Sequence, residues 1–426
     1  MRVVYLTAGA AGMHCGACGR DAGLARALIA RGADVQLVPL YTPMTLDTPM
    51  PSGTTDTFYG GINVYLQQTF SLFRRMPPAL DRLLDARPLL KMASRLGVRT
   101  RPAKLGPLTL SMLQGEDGRQ RKELQRLLDY LDLQRPIAVV NISNMLLSGM
   151  IPALKRRLAV PVACTLQGED EFVTAIPEPH SSQCRDLMRQ HARRVGLFIS
   201  PSRAYVPKIA EFLAVEPEQI HVVPTGLDLA DYPCLPKRHV EPFVIGYLSR
   251  ITADKGLDLL IDAVGRLRQD GRTVRLQIAG QRLEPAFARD VRNQVRRGGL
   301  DQWTTTRSVR TLPEKVRFLH ECSAFALPTR RHEVRGTAAM EAMAVGLPVV
   351  VPDSGVLPEL IGDTGRFFTP GDADGLAAAL AELMDHSARA DALGLAARER
   401  IRVHYSLDQM AASTLALYQA LPQETD

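Results

Sequence analysis

PTRRHEVRGTAAMEAMAVGLP, residues 328–348, decides how the rest of the chain is read. Two carboxylates, Glu333 and Glu341, stand eight positions apart in it. Just before it, Ala324, Phe325, Ala326 and Leu327 form a short apolar run that reads as a buried strand stopped by Pro328. The second acid sits in AAMEAMA, small and helix-favouring, which ends at Gly346-Leu347-Pro348. One acid is therefore expected on a strand-to-helix loop and the other about one turn into the helix. Gly336 and Thr337 then fall at the helix start, where unpaired backbone N–H groups and the helix dipole favour an anion. Acids beside an anion-binding helix start are placed to hold sugar hydroxyls around a phosphate. Two glutamates at this spacing are also common on surfaces, so the spacing alone leaves both readings open.

Working outward, 426 residues exceed the usual size of one domain, and two are expected. A 46% hydrophobic and 23% charged composition describes a globular chain with an ample core. MRVVYLTAGAAG at the start lacks an extended signal-peptide core, and no apolar run approaches a membrane span. Six cysteines in a chain this long do not make a disulfide framework, so a reducing cytoplasm is the expected compartment.

Charge is concentrated rather than spread. From Phe70 to Gly106 there are nine Lys or Arg against Asp81 and Asp85, an excess equal to the whole formal charge of +7. Leucines and methionines interleave with them, as in segments that lie on an anionic membrane surface or grip an acidic acceptor. Pro77, Pro78, Pro88 and Pro102 interrupt any long helix there, and solvated helical faces in an insertion fit as well. No recognition motif for nucleic acid accompanies the charge.

The first half alternates strand and helix. Val3–Thr7 reads as a strand, residues 8–19 as a glycine-rich loop, Asp21–Arg31 as a helix and Val35–Pro39 as a second strand. The glycines depart from the dinucleotide fingerprint, and no clean acid follows the second strand. Cys15 and Cys18 make a C-x-x-C at the helix start, but no second ligand pair completes a metal site. Further strands are expected at Ile137–Ile142, Val160–Leu166, Leu197–Ser200 and His221–Val223, with polar residues clustered after their ends. Gln167 is among them. In open parallel sheets the ligand crevice lies at those ends. Tyr232–Pro242 reads as a linker.

The second half repeats the pattern. The strand Phe243–Leu248 leads into SRITADKG, and a helix over Leu257–Gln269 follows. Arg250 and Lys255 on one loop before a helix can clamp a diphosphate from two directions. The next strand, Val274–Ala279, closes at Gly280, which joins the expected nucleotide-binding positions.

Together these motifs resemble family 4 of the retaining glycosyltransferases. GYLSRITADKGLDLLIDA, HEVRGTAAMEAMAVGLPVVVPDSGVLPELI and TGRFFTPGDADGLAAAL follow in order between Phe243 and Leu383. The likeness is looser but collinear through the glycine loop, TLQGED, SPSRAYV and VVPTGLDLADY. It implies the GT-B fold, an α/β arrangement of two Rossmann-like doubly wound domains facing a central cleft. The expected organisation is an acceptor domain over 1–235, with its basic insertion at 70–106, a donor domain over 236–404, and a helix over 405–426 returning to the first domain.

The implied reaction moves a sugar, with retention, from a UDP-, GDP- or ADP-sugar to an acceptor that is a sugar, lipid or small molecule. Neither a metal nor another cofactor is required by the resemblance, since fixed cations and helix N-termini stabilise the leaving diphosphate. Arg250 and Lys255 would neutralise that diphosphate, with the Gly16 region approaching from the other domain. Glu333 would contact the transferred sugar, and Glu341 the ribose. The basic segment adds peripheral contact with the inner face of a membrane.

Two places depart from the family's pattern. Where E-G-F-G is usual, the chain has Glu333-Val334-Arg335-Gly336, which adds a charge beside the sugar and phosphate positions. Where a histidine often follows the strand corresponding to Val160–Leu166, Gln167 stands, and an amide does not titrate. These departures keep two alternatives open, a nucleotide-sugar epimerase on the same fold and a protein that binds the donor without turning it over. A phosphorylase would need a pyridoxal-phosphate lysine context that is not found.

Overall fold

The computed structural model describes residues 1–8, 16–41, 58–59, 102–234, 241–281 and 283–422. His14, Cys15 and residues 70–101 of the basic segment lie outside the described residues. Two compact units divide the chain. One comprises Met1–Pro224 together with Leu407–Asp426, and the other Thr225–Ser406.

Each unit is a six-stranded sheet in which every pairing is parallel. In the first, β1 (Arg2–Thr7), β2 (Asp34–Pro39), β3 (Val139–Ile142), β4 (Val162–Thr165), β5 (Leu197–Ser200) and β6 (Ile220–Val222) lie in the order β2-β1-β3-β4-β5-β6. Strands covered on both faces read as continuous apolar runs, and β1 is buried from Val3 to Thr7. In the second, β7 (Phe243–Leu248), β8 (Val274–Ala279), β9 (Thr304–Arg307), β10 (Ala324–Ala326), β11 (Val349–Pro352) and β12 (Arg366–Phe368) take the order β12-β11-β10-β7-β8-β9. This is the doubly wound α/β architecture expected from the sequence.

The strand orders locate the ligand crevices. The second unit's chain runs outward from β7 through β8 to β9, then crosses back to place β10 on the other side of β7. Loops leaving β7 and β10 therefore diverge to opposite faces, and the gap between them is where open parallel sheets bind ligands. Those loops are 249–256 and 327–336, the two stretches that carry the sequence motifs. The equivalent switch in the first unit falls between β1 and β3, where the helix Gly16–Ala30 follows the loop after β1.

The first unit's core takes residues from both ends of the chain. Leu24 and Leu28 of the helix Gly16–Ala30 pack in one cluster with Met410, Ala411, Tyr418 and Leu421. Gly23 leaves room for Leu407, whose methyl carbon would touch a Cβ there at 3.5 Å. Arg31 closes the contact with an ion pair to Asp408 at 2.7 Å. Beneath the C-terminal ends of β1 and β4 runs a buried polar chain. Thr7 Oγ1 and the Tyr5 hydroxyl donate to Asp21 at 2.8 and 3.2 Å, and Arg20 pairs with the same carboxylate.

Another buried pair makes the first unit sensitive to acid. His191 Nδ1 lies 3.1 Å from Ser148 Oγ in the interior. Burial, assisted by nearby Arg194, pushes its pKa down from 6.5 to about 4. The unfolded chain takes up that proton first, so the folded state loses stability as pH falls from 6.5 towards 4. His191→Gln removes this term. Chemical denaturation at neutral pH and near pH 4 is expected to show the wild type losing up to about 3 kcal/mol more than the variant. Equal losses would refute the assignment.

Candidate functional site

The second unit's two motif loops are stitched together before any ligand is considered. After β7, Ser249 N donates to Ala279 O at 3.1 Å and Ile251 N to Gln281 O at 2.8 Å. The Tyr247 hydroxyl donates to the carbonyl of Arg250 at 3.0 Å. Gly280 has φ +155°, and a Cβ there would lie 1.7 Å from the Ser249 carbonyl oxygen. Its lack of a side chain lets the ends of β7 and β8 close on one another.

Lys255 ends the one-turn 3-10 helix Ala253–Lys255, and Gly256 follows at φ +67° to start the helix Leu257–Gln269. A Cβ on Gly256 would lie 1.9 Å from the carbonyl oxygen of Pro328, so here the β7 loop touches the β10 loop backbone to backbone. Arg330 reinforces the contact from the other side. It forks onto Asp258 at 2.7 and 2.8 Å, and its guanidinium also donates to Ala253 O at 2.9 Å. A bidentate pair of this kind fixes orientation as well as distance.

This framework brings Lys255 onto Glu333. Lys255 is 7% exposed and its ion-pair partner is Glu333 Oε1, which also accepts from Thr329 Oγ1 at 3.3 Å. Glu333 is held from behind as well. Its carbonyl accepts from Val356 N at 2.8 Å, and a Cβ on Gly355 would stand 2.7 Å from its backbone N and O. Arg250 is exposed on the same loop as Lys255 and makes no ion pair among the described residues. Gly336, at φ +64°, precedes the helix Thr337–Ala344, whose first N–H groups have no intrahelical acceptor. A cation, a carboxylate and a helix start thus meet at the switch point of one sheet. That arrangement suits a phosphate with a hydroxylated group beside it.

Glu341 lies one turn into that helix, as expected, but it is not bare. Its Oε1 accepts from Lys315 Nζ at 2.6 Å and from the Tyr232 hydroxyl at 3.2 Å. Neither partner was singled out in the sequence. The signal for Lys315 was T-L-P-E at 311–314, a capping box that starts the helix Leu312–His320.

Gln167 and Gly16 belong to the first unit. The Gln167 amide donates to the Ser143 carbonyl, and its backbone N to Glu169 Oε2 at 2.6 Å. Glu169 also accepts from Met145 N at 2.9 Å, yet burial still holds its carboxyl above the usual range. Gly16 opens the helix Gly16–Ala30, which starts earlier than the expected Asp21. Among the described residues no group of three His, Cys, Asp or Glu is arranged to hold a metal ion, and no helix is long and apolar enough to cross a membrane.

Comparison with known proteins follows the same division. A family model described as "Glycosyl transferases group 1" matches residues 242–386, and one described as "Glycosyl transferase 4-like domain" matches residues 20–226. The chain is 32% identical over 237 residues to an MMP alpha-(1->4)-mannosyltransferase of Mycolicibacterium hassiacum, covering 55% of this chain and 56% of that protein. It is 30% identical over 231 residues to a glycogen synthase of Mycobacterium tuberculosis, covering 54% and 55%. It thus spans about half the length of the curated relatives it matches. Among solved structures, sucrose-phosphate synthase from Thermosynechococcus elongatus superimposes with a TM-score of 0.71 at 17% identity, over 99% of both chains. HepE of Anabaena, solved with UDP and glucose, does so at 0.67 and 17%, over 99% of this chain and 100% of that one.

Proposed function

The chain belongs to the family 4 glycosyltransferases of the GT-B fold, and on that premise we propose that it moves a sugar from a nucleoside-diphosphate sugar to an acceptor with retention of configuration. The observation that carries this reading is the buried Lys255–Glu333 pair at the switch point of the second sheet. Lys255, Arg250 and the N–H groups at Gly336–Thr337 receive the diphosphate, with Gly280 closing the same edge. Glu333 takes hydroxyls of the transferred sugar, and Glu341 those of the ribose. Gln167 and the Gly16 helix start belong to the first unit, to which we assign the acceptor.

In the reaction the bond from the sugar's anomeric carbon to the phosphate oxygen breaks, and a bond to the acceptor oxygen forms on the same face. The acceptor's proton passes to the released diphosphate, so atoms and charge balance. Negative charge grows on the leaving oxygen during this step. Cations and N–H groups already fixed in place stabilise it without reorganising, the term that usually dominates such catalysis. The chain's own cations supply this charge in the proposed mechanism.

A donor screen tests the reading. UDP, GDP and ADP are compared by thermal shift, because a ligand bound only by the folded state raises its melting point. The matching sugar donors are then assayed for diphosphate release and for product configuration by NMR. One donor is expected to turn over with retention, and Arg250→Ala to weaken its binding about tenfold, as loss of a charged hydrogen-bond partner does. Nucleotide binding without turnover of any donor would favour the binding-only alternative, and an inverted product would overturn retention.

A further inference from the structure

Glu341 already has company on one of its two oxygens. Lys315 Nζ and the Tyr232 hydroxyl both donate to Oε1, and no described residue donates to Oε2. The carboxylate side chain is 8% exposed and that of Lys315 30%. Glu341 is therefore a buried charge held by a half-buried cation, with one oxygen anchored and the other open.

Lys315 is also misplaced by local rules. It is the fourth residue of the helix Leu312–His320, close to the positive end of the helix dipole, where a cation is disfavoured. The helix start is otherwise well built. Thr311 Oγ1 accepts from Glu314 N at 3.4 Å, and Glu314 Oε2 accepts from Thr311 N at 3.1 Å. A residue that breaks the local rule inside a well-capped helix marks a requirement set elsewhere. The requirement in view is Glu341, 26 positions away in the chain.

We propose that Lys315 is the positioning residue for ribose recognition, holding Glu341 with Oε1 occupied so that Oε2 accepts the ribose 2′,3′-diol of the donor. The inference rests on the donor-site reading of Glu341 given above. Lys315 acts through Glu341 and touches neither the diphosphate nor the sugar that moves. Without the ammonium, a buried carboxylate keeps only the Tyr232 hydroxyl. It then rotates away from the diol, and its discrimination for a diol is lost. Arginine at this position keeps the charge and most of the hydrogen bonding.

The test needs only nucleotide binding. Among UDP, GDP and ADP, the one giving the largest thermal shift is titrated calorimetrically beside its 2′,3′-dideoxy counterpart. The wild type is expected to prefer the ribose form by about tenfold or more, since a site built to hydrogen-bond a hydroxyl rejects the analogue lacking it. In Lys315→Met that preference falls to about twofold while affinity for the dideoxy form stays within about twofold; Lys315→Arg retains most of the preference. Melting curves of both variants confirm that the second unit is folded, and Lys315→Arg carries the test where Lys315→Met is not. Full ribose preference in Lys315→Met, or equal loss for both nucleotides, would overturn the role of Lys315 alone. The same holds for Lys315→Arg if it behaves like a deletion of Glu341, measured as Glu341→Gln. Absence of any ribose preference in the wild type would instead bring down the reading of Glu341, and this inference with it.

Discussion

Lys255→Ala is expected to slow sugar transfer by at least ~100-fold, the loss seen when a preorganised charge-stabilising donor is removed. Lys255 is nearly fully buried and pairs with Glu333 where the β7 and β10 loops meet. No other cation in these two loops is buried, for Arg250 and Arg330 are exposed and Arg331 and Arg335 are partly exposed. Glu333→Ala is expected to lose a comparable factor, because its carboxylate holds the ammonium and the sugar together. Saturation kinetics with the donor identified by the screen measure both, and near-normal activity in either would refute its role.

Stability separates function from scaffolding at this pair. Removing one partner of a buried ion pair leaves the other uncompensated and costs roughly 3–5 kcal/mol in fully buried cases. Glu333 retains 17% side-chain exposure and the Thr329 hydroxyl, so the lower end is expected here. The double variant should regain part of that loss, since contacting residues are non-additive. Activity should not return with it. A double variant both stable and active would show the pair to be a structural clip only.

Gly256→Ala is expected to be among the most damaging single methyls added to the second unit, at roughly 3 kcal/mol or more, combining left-handed strain with a backbone clash. Its Cβ would sit 1.9 Å from the Pro328 oxygen, and no flexible side chain stands there to move aside. The two loops must separate, so donor binding falls together with the melting point. Gly271 provides the control. It has φ +84° with nothing within 4 Å of a Cβ, so Gly271→Ala carries only the conformational cost, about 1 kcal/mol. Urea midpoints of the two variants decide the matter, and equal losses would dispose of the clash.

The legible parts of this chain were those with local signatures. A continuous apolar run marked β7, Phe243–Leu248, and an alternation of apolar with polar residues marked β8, Val274–Ala279. The loops between strand and helix carried Arg250, Lys255 and Glu333 in order, and the helix after the second carried Glu341. The early start of the helix Gly16–Ala30 escaped notice because its glycines read as loop formers. Gly23, within the expected helix, serves as a smooth face for Leu407, almost four hundred positions away. No element was read between Gly280 and Ala324, yet that stretch holds the helix Pro285–Arg297 and the edge strand β9. That strand is Thr-Thr-Thr-Arg, largely exposed, with no alternation to betray it. Lys315 and Tyr232 were invisible as partners of Glu341 because a contact between distant segments leaves no periodic trace in either.

The helix Leu407–Ala420, packed on Leu24 and Leu28, sets a schedule for synthesis. The first unit begins to emerge from the ribosome at once, but its core lacks Met410, Ala411 and Tyr418 until the whole of Thr225–Ser406 has been made. At ~5–20 residues per second that interval is on the order of 10–40 s. Throughout it, the apolar face meant for the last helix stands uncovered on a nascent chain. The unit begun first is thus completed last, and chaperone demand during translation should track the length of the wait rather than the stability of the finished protein.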